Sequence, residues 1–166
     1  IDGSSITVFR YNDHVGACSR NLEIDWVADS RLKDLIIDTN LLDNLVGNYA
    51  IQGELVGPGI QKNREKFSDT RFYVFNIFSI DNQKYLTSKE REIFLYELSE
   101  KGTVLHHVPI YRKVKILKET VDDILEGAMG PSINNPIREG LVYKLCDDPS
   151  INFKAISNEY LLKHKE

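Results

Sequence analysis

Short segments rich in β-branched and aromatic residues recur along the chain, and turns rather than helices join several of them. Residues 5–9 and 15–17 flank a polar turn at 11–14, which predicts a β-hairpin. Residues 49–56 and 71–80 predict two further strands on either side of a Gly/Pro-containing loop. Because strands and helices do not alternate one for one, we expect an α+β fold of mainly antiparallel sheets flanked by helices.

Helical spacing and capping signals place helices among these strands. Apolar residues at helical spacing over 30–49 predict one helix or two short ones. Thr87 followed by Glu90 is a capping-box pattern, and we expect the helix that follows to end at Gly102. Other segments follow the same rules, with strands predicted over 104–111, 141–145 and 151–156, and helices over 120–129 and 160–166.

Length and composition set the class of protein. The chain has 166 residues, of which 42% are hydrophobic, and this suffices for one sizeable core in one domain. A net charge of −4 does not favour indiscriminate binding to polyanions, although a local basic patch can still contact RNA. Cys18 and Cys146 fit neither a disulfide framework nor a metal site, and no apolar run is long enough to span a bilayer. We expect a soluble, monomeric, cytoplasmic protein.

Two carboxylates stand beside glycines at predicted strand ends. Glu54 lies among the glycines of segment 51–61, and Glu139 directly precedes Gly140. Glycine lets a ligand approach the backbone closely, and a carboxylate there can accept hydrogen bonds from sugar hydroxyls or help to hold a metal. For Glu54 taken alone, an exposed glutamate beside a tight turn is the commoner structure.

Two lysines stand inside predicted strands. Strand alternation puts Val142 and Lys144 on one face, so Lys144 can point into a polar cleft. Lys154 is an isolated cation in an apolar strand, where its charge is costly unless it faces solvent or an anionic ligand. A solvated or edge lysine is the alternative for both positions.

Six motifs follow one another in the order found in the covalent nucleotidyltransferases: 1–5 (IDGSS), 19–21 (SRN), 51–61 (IQGELVGPGIQ), 72–77 (FYVFNI), 139–142 (EGLV) and 153–154 (FK). The first and third resemble those of ATP-dependent RNA ligases more than those of DNA ligases or capping enzymes. The resemblance covers nearly the whole chain and implies the nucleotidyltransferase, ATP-grasp-like fold.

The resemblance also implies a reaction. In this family a lysine attacks the α-phosphate of ATP, the AMP passes to an RNA 5′-phosphate, and a 3′-hydroxyl then displaces AMP. The nucleophile is expected immediately before Ile1, so we expect residues 1–166 to be an adenylylation-domain fragment that lacks this lysine and an accessory domain. The implied ligands are ATP or AMP, Mg²⁺ or Mn²⁺, and RNA ends or a nicked duplex.

By resemblance, the nucleotide is bound through backbone, stacking and charged contacts. Glu54 would accept hydrogen bonds from the ribose, Phe75 would stack on adenine, and Arg20 would hold ribose or an RNA phosphate. The implied nucleotide-binding set is Ile1, Gly3, Arg20, Glu54, Phe75, Val142, Lys144 and Lys154.

The catalytic set implied by the resemblance is Glu139, Lys144 and Lys154. Glu139 would bind the divalent metal, and the two lysines would neutralise the α-phosphate. Asn76, implied with Arg20 in RNA contact, stands where the family often has aspartate. The family often has a second lysine two residues from the position of Lys154, and this sequence has none there. These departures predict reduced or differently organised sealing.

Two other functions compete with this one. A catalytically inactive AMP-binding or RNA-binding module of the same fold would follow if the nucleophile lysine were missing. A DNA ligase or capping enzyme fits the motif order but not the Ser4-Ser5 pair. Elsewhere, Arg64 and its neighbours in 62–66 are expected to be a solvated loop, and His106-His107 to place one ring inside and one outside.

Overall fold

The larger of two sheets carries most of the strands. The computed structural model describes residues 1–164, and the part of the expected helix 160–166 beyond His164 lies outside them. The strands of the larger sheet are β1 (Ser4–Tyr11), β2 (His14–Cys18), β3 (Glu23–Ile24), β4 (Tyr49–Val56), β5 (Arg71–Ser79), β6 (Lys84–Tyr85) and β7 (His106–His107). Their order is β3-β2-β1-β4-β5-β6, with β7 also beside β5. Within residues 1–164, only the β5–β7 pairing is parallel, so the expected mainly antiparallel α+β fold is confirmed.

The expected β1–β2 hairpin is present, and β4 lies between β1 and β5 as the centre of the sheet. A break in register divides β4 from β5, because Gln52 pairs with Asn76 whereas Gly53 pairs with Val74. Phe75 is therefore an extra residue in β5, which is the arrangement of a β-bulge. The bulge interrupts strand alternation, and Phe75 and Asn76 are both partly exposed in succession.

Five helices flank the sheets: α1 (Ser30–Asp38), α2 (Leu41–Asn44), α3 (Ser88–Glu100), α4 (Val121–Ala128) and α5 (Asn158–Lys163). The segment 30–49 thus forms two short helices, and it leaves the helical conformation at Leu45, which is extended. The capping box of α3 is confirmed, because Thr87 and Glu90 exchange hydrogen bonds of 2.7 and 3.2 Å. Gly102, just after α3, has the left-handed φ of +95°.

The strand expected over 104–111 is mostly wrong. Only His106 and His107 pair with β5, and the chain then leaves the sheet. Pro109 has no backbone N–H to continue the ladder, which explains why pairing stops beside it.

A separate two-stranded sheet contains β8 (Gly140–Lys144) and β9 (Asn152–Ile156), which pair antiparallel as expected from the sequence. The rings of Tyr143 and Phe153 stack across it, with centroids 4.8 Å apart and planes 5° apart. Because directly opposed residues share a face, Val142, Lys144 and Lys154 lie on the other face of this hairpin.

One apolar core fastens the larger sheet to the helices that cover it. Ile51 and Ile77 from the sheet and Leu32 and Ile36 from α1 are all 1% exposed or less. Burying each such side chain stabilises the fold by about 1.5–3 kcal/mol, so the position of β4 and β5 is strongly fixed. Among the described residues, no helix is long and apolar enough to cross a membrane.

Candidate active site

The start of β1 and the end of β4 bring Gly3 and Glu54 together. The Gly3 N–H donates to Oε1 of Glu54 over 3.0 Å. A Cβ at Gly3 would lie 2.3 Å from the Leu55 carbonyl oxygen, so a side chain there would separate the two strands. The close approach in the structure is thus between Gly3 and β4, and contact of Gly3 with a nucleotide stays a prediction.

Glu54 is a partly buried carboxylate in a field of other charges. Burial is the main cause that raises the pKa of Glu54, and the hydrogen bond from Gly3 opposes it. The negative charge of Glu139 raises the Glu54 pKa further, and the positive charge of Lys154 lowers it. Glu139, just before β8, and Lys154 in β9 therefore act electrostatically on Glu54 of β4.

Glu139 and Lys154 form an ion pair at the open end of the small sheet. The Lys154 ammonium lies 2.6 Å from Oε1 of Glu139. The backbone around them is close-packed, since a Cβ at Gly140 would lie 2.0 Å from the Ala155 carbonyl oxygen. Lys154 is therefore not an isolated cation at a sheet edge, because its charge lies beside the Glu139 carboxylate.

Lys144 joins the small sheet to the β5 bulge. Its ammonium donates to the Phe75 carbonyl over 2.9 Å and to Oδ1 of Asn76 over 2.8 Å. It also lies 5.1 Å from the centre of the Phe75 ring. Burial, followed by the charge of Arg91, lowers the pKa of Lys144 to about 8. The side chain points into the interior as expected, and Asn76 is one of its two hydrogen-bond acceptors.

A second cation, Arg91 of α3, is 6% exposed and lies behind Lys144. Its Nε donates to Nε2 of His107 over 2.9 Å, so the His107 proton resides on Nδ1, which donates to the Val108 carbonyl. Burial lowers the pKa of His107, which keeps this imidazole neutral at pH 7. His107 is partly buried and His106 exposed, as the sequence predicts. Arg91 itself was not identified from the sequence, because it belongs to no motif and its partner is 16 residues away.

A tether of three polar side chains holds the start of the chain. Nη1 of Arg64 forms a close ion pair with Asp2 and donates to the Tyr160 hydroxyl over 2.6 Å. The Tyr160 hydroxyl donates in turn to Oδ2 of Asp2 over 2.7 Å. Burial, and then the bond to Asp2, raise the pKa of Tyr160 to about 12. The expectation that Arg64 belongs to a solvated loop is therefore wrong, because its guanidinium has two internal partners.

The remaining candidates are Ile1, Val142 and Arg20. Ile1 packs against the buried cluster of Val56, Phe67 and Tyr73. Val142 is 53% exposed and lies opposite Lys154 in the hairpin. Arg20 is exposed in the loop after β2, and its side chain forms no hydrogen bond or ion pair with any residue in 1–164.

The carboxylates suit a metal that arrives with a phosphate ligand. Within residues 1–164, no group of three or more His, Cys, Asp or Glu side chains is arranged to hold an ion. Mg²⁺ commonly uses one or two carboxylates together with waters and substrate phosphates. Glu139, with Glu54 close enough to influence it electrostatically, fits that mode.

Comparisons with known proteins show the family and the fold. The RNA ligase family model matches residues 1–163. Three solved structures of an RNA ligase from Naegleria gruberi resemble the chain with a TM-score of 0.91: a mutant with ATP and Mn and a mutant with AMP and Mn, both 41% identical, and the protein with pyrophosphate, 42% identical. Each match covers 99% of this chain and 49–50% of the other, so this chain spans about half the length of these structures.

A comparison with curated proteins found no match. The family match nevertheless extends over nearly the whole chain, and the structural match exceeds 40% identity. The fold is that of the nucleotidyltransferase domain of RNA ligases, as the sequence motifs indicate. On this evidence, the chain belongs to the RNA ligase family.

Proposed function

We propose that this chain is the adenylylation domain of an ATP-dependent RNA ligase, which forms lysyl-AMP and seals RNA 5′-phosphate to 3′-hydroxyl ends. The observation that carries this proposal is the meeting of β4, the β5 bulge and the β8–β9 hairpin around Glu54, Phe75, Glu139, Lys144 and Lys154. The Naegleria relatives bind ATP, AMP with Mn, or pyrophosphate, which are the substrate, the transferred group and the leaving group of the first step.

The nucleotide would lie against the β4–β5 side of the site. Glu54 would accept hydrogen bonds from the ribose hydroxyls, and the bulge would present the Phe75 ring for stacking on adenine. Ile1 and Gly3 would contribute backbone contacts, and Val142 an apolar wall. Arg20 is proposed to reach the ribose or an RNA phosphate from its exposed loop, and this role also fits its freedom from internal partners.

The first chemical step needs a nucleophile and cations around the α-phosphate. The proposed nucleophile is a lysine directly before Ile1, whose amine forms a bond to the α-phosphorus while the bond to pyrophosphate breaks. The Asp2 tether would hold the adjoining backbone. Lys144 and Lys154 would neutralise the charge that accumulates on the α-phosphate, which lowers the barrier most in a partly buried site.

Glu139 is the residue proposed to hold a divalent ion, Mg²⁺ or Mn²⁺. When bound, such an ion would neutralise phosphate oxygens and so favour departure of pyrophosphate. The ion pair between Glu139 and Lys154 supports a role for the lysine beside that ion. RNA contacts are proposed for Arg20, which is exposed in the loop after β2, and for Asn76, which accepts a hydrogen bond from Lys144.

Mass spectrometry of the intact protein tests the proposal. The whole protein, incubated with ATP and Mg²⁺ or Mn²⁺ at neutral pH, is expected to gain the mass of one AMP. Glu139→Gln and Lys154→Gln should slow the gain, whereas Glu100→Gln at the exposed end of α3 should not. Absence of an adduct in the unaltered protein would contradict the adenylylation role.

A catalytically inactive AMP-binding or RNA-binding module is the second candidate. It is favoured by Asn76, which offers Lys144 a neutral acceptor where the family often has a carboxylate. Retention of AMP without covalent attachment would support this candidate. Competition between nicked RNA and nicked DNA in a sealing assay separates both from a DNA ligase.

A further inference from the structure

Residues 109–118, here called the basic segment, form an exposed stretch without regular secondary structure. The basic segment contains Arg112, Lys113, Lys115 and Lys118 and no Asp or Glu, although the whole chain has a net charge of −4. Such concentration of one sign on an acidic protein creates a local positive potential that can attract a polyanion.

The basic segment runs along the border of the candidate site. It begins beside β5, where the Val108 N–H donates to the Val74 carbonyl over 2.8 Å, one residue before the Phe75 bulge. Further along, the Tyr111 ring lies 4.8 Å from the guanidinium of Arg138, and Arg138 directly precedes Glu139. The segment therefore connects the proposed adenine side of the site with the proposed metal side.

The four cations of the basic segment divide into two pairs. Arg112 forms an ion pair with Glu119, and Lys113 forms one with Glu92 of α3. Within residues 1–164, the ammonium groups of Lys115 and Lys118 have no hydrogen bond or ion pair. The first pair fastens the segment to the fold, and the second pair presents charge to solvent.

Exposed apolar and aromatic side chains alternate with these cations. Tyr111 is 69% exposed, and the ring is fixed on one side by Arg138. Ile110, Val114, Ile116 and Leu117 are exposed as well. Cations that follow a phosphate backbone, combined with an aromatic face on which a base can stack, are typical of surfaces that bind single-stranded nucleic acid.

We propose that the basic segment binds the sugar–phosphate backbone of the RNA next to the ends being joined. Lys115 and Lys118 contact phosphates, and Tyr111 offers its free face to an unpaired base. This inference rests on the proposed function, since it assumes that the substrate is RNA. It assigns the strand a path along the side of the site bordered by β5 and Arg138.

The test compares two double variants of the whole protein. Lys115→Gln/Lys118→Gln removes the two unpaired charges, and Lys33→Gln/Lys101→Gln removes two exposed charges on other elements. Affinity for a nicked RNA duplex and for single-stranded RNA is measured between low and moderate salt. Loss of two phosphate contacts should reduce the slope of log affinity against log salt by about 2 and weaken binding irrespective of sequence.

Lysyl-AMP formation, measured on the same variants, separates this inference from the proposed function. Both double variants should form lysyl-AMP at the unaltered rate. An unchanged affinity and salt slope in Lys115→Gln/Lys118→Gln would overturn the RNA role of the segment. Reduced sealing with unchanged RNA affinity would also overturn it. Failure of the unaltered protein to form lysyl-AMP would count against adenylylation alone, because the RNA affinities would still report on the segment.

Discussion

The protonation of Lys144 is sensitive to its surroundings. Burial and the nearby charge of Arg91 lower its pKa from 10.5 to about 8. Between these two values the unfolded chain holds a proton that the folded chain has lost, so stability rises as pH rises through this window. At neutral pH the buried positive charge of Lys144 therefore destabilises the folded state, which is consistent with a role in binding an anion.

Asn76→Asp should make Lys144 a stronger base. A carboxylate beside the ammonium favours its charged form and raises the pKa of Lys144 by about one unit or more. If charged Lys144 promotes the first step, the alkaline fall of lysyl-AMP formation should move to higher pH. A pH–rate profile from pH 6 to 10 measures this, with Asn82→Asp as the matched control on an exposed turn. An alkaline limb that stays in place would show that Lys144 does not set it.

Glu54→Gln should lower the affinity for ATP without lowering the free energy of unfolding. Burial raises the pKa of Glu54, so its contribution to stability is greatest below the ordinary value of 4.5 and declines as pH rises through the raised pKa. Gln keeps an acceptor for the Gly3 N–H and removes the buried charge. We expect no loss in the free energy of unfolding at pH 7, but ATP affinity about tenfold lower because a charged acceptor for the ribose is gone.

Urea unfolding and nucleotide titration of Glu54→Gln supply the two readouts, and Glu97→Gln on the exposed side of α3 is the control. A fall in stability equal to the loss of ATP binding energy would indicate a purely structural role for Glu54.

At the scale of elements, α4 depends on a buried cation from the loop that follows it and leads into β8. Nε of Arg138 donates to the Ala128 carbonyl over 2.9 Å, and Nη2 donates to the carbonyls of Gly127 and Met129 over 2.6 Å each. The last carbonyls of a helix have no partner within the helix, so the guanidinium supplies what the end of α4 lacks. The same contact fixes the residue before Glu139.

Arg138→Met should lower the free energy of unfolding by about 2–4 kcal/mol, because three charge-assisted hydrogen bonds to the carbonyls at the end of α4 are lost together. Urea denaturation measures the change. Arg31→Met, which breaks an exposed pair with Asp29, should cost about 0–1 kcal/mol. Equal effects of the two substitutions would refute the capping role.

The elements that the sequence predicted well are those specified by local chemistry. The β1–β2 hairpin, the capping box at Thr87 and the β8–β9 strands all follow from neighbouring residues. The Phe75 bulge was not predicted, because it is defined by pairing with β4 rather than by its own sequence. The strand predicted over 104–111 is longer than the observed strand, which ends at His107, because Pro109 cannot continue the pairing.

Arg91 and Arg138 show that contacts between distant residues also limit how well the candidate site can be predicted from the sequence. By composition both resemble solvated cations, and only the fold reveals that each is buried against acceptors from another element. The order of the motifs indicated the family, because those residues are close together in sequence. The contacts that hold the motifs in place join distant parts of the chain, and residue patterns do not encode them directly.

At the scale of the whole molecule, the tether of Asp2, Arg64 and Tyr160 joins segments that are up to 158 residues apart. It connects the start of β1, the loop after β4 and helix α5. The next residue, Glu65, is 2% exposed and accepts hydrogen bonds from Ser132 and from the Asn134 N–H. The loop after β4 thus contacts three separate regions: the segment before β1, helix α5, and the loop that contains Ser132 and Asn134.

Tyr160→Phe should loosen the proposed nucleophile's backbone without unfolding the protein. The substitution removes the hydroxyl between Arg64 and Asp2 but leaves their ion pair, so the free energy of unfolding should fall by only about 1 kcal/mol. Because Tyr160 would act through Asp2 and not on ATP, the rate constant of lysyl-AMP formation should fall several-fold with little change in the KM for ATP.

Hydrogen exchange of the amides in residues 2–5 gives an independent readout, and it should accelerate in Tyr160→Phe relative to the centre of β4. Tyr96→Phe is the matched control, because Tyr96 is 63% exposed on α3 and the loss of its hydroxyl should change neither quantity. If exchange accelerates while adenylylation keeps its rate, the tether stabilises the end of β1 but does not position the nucleophile. If exchange accelerates and the rate of adenylylation falls, the tether aligns the proposed nucleophile through a contact that only the folded chain can make.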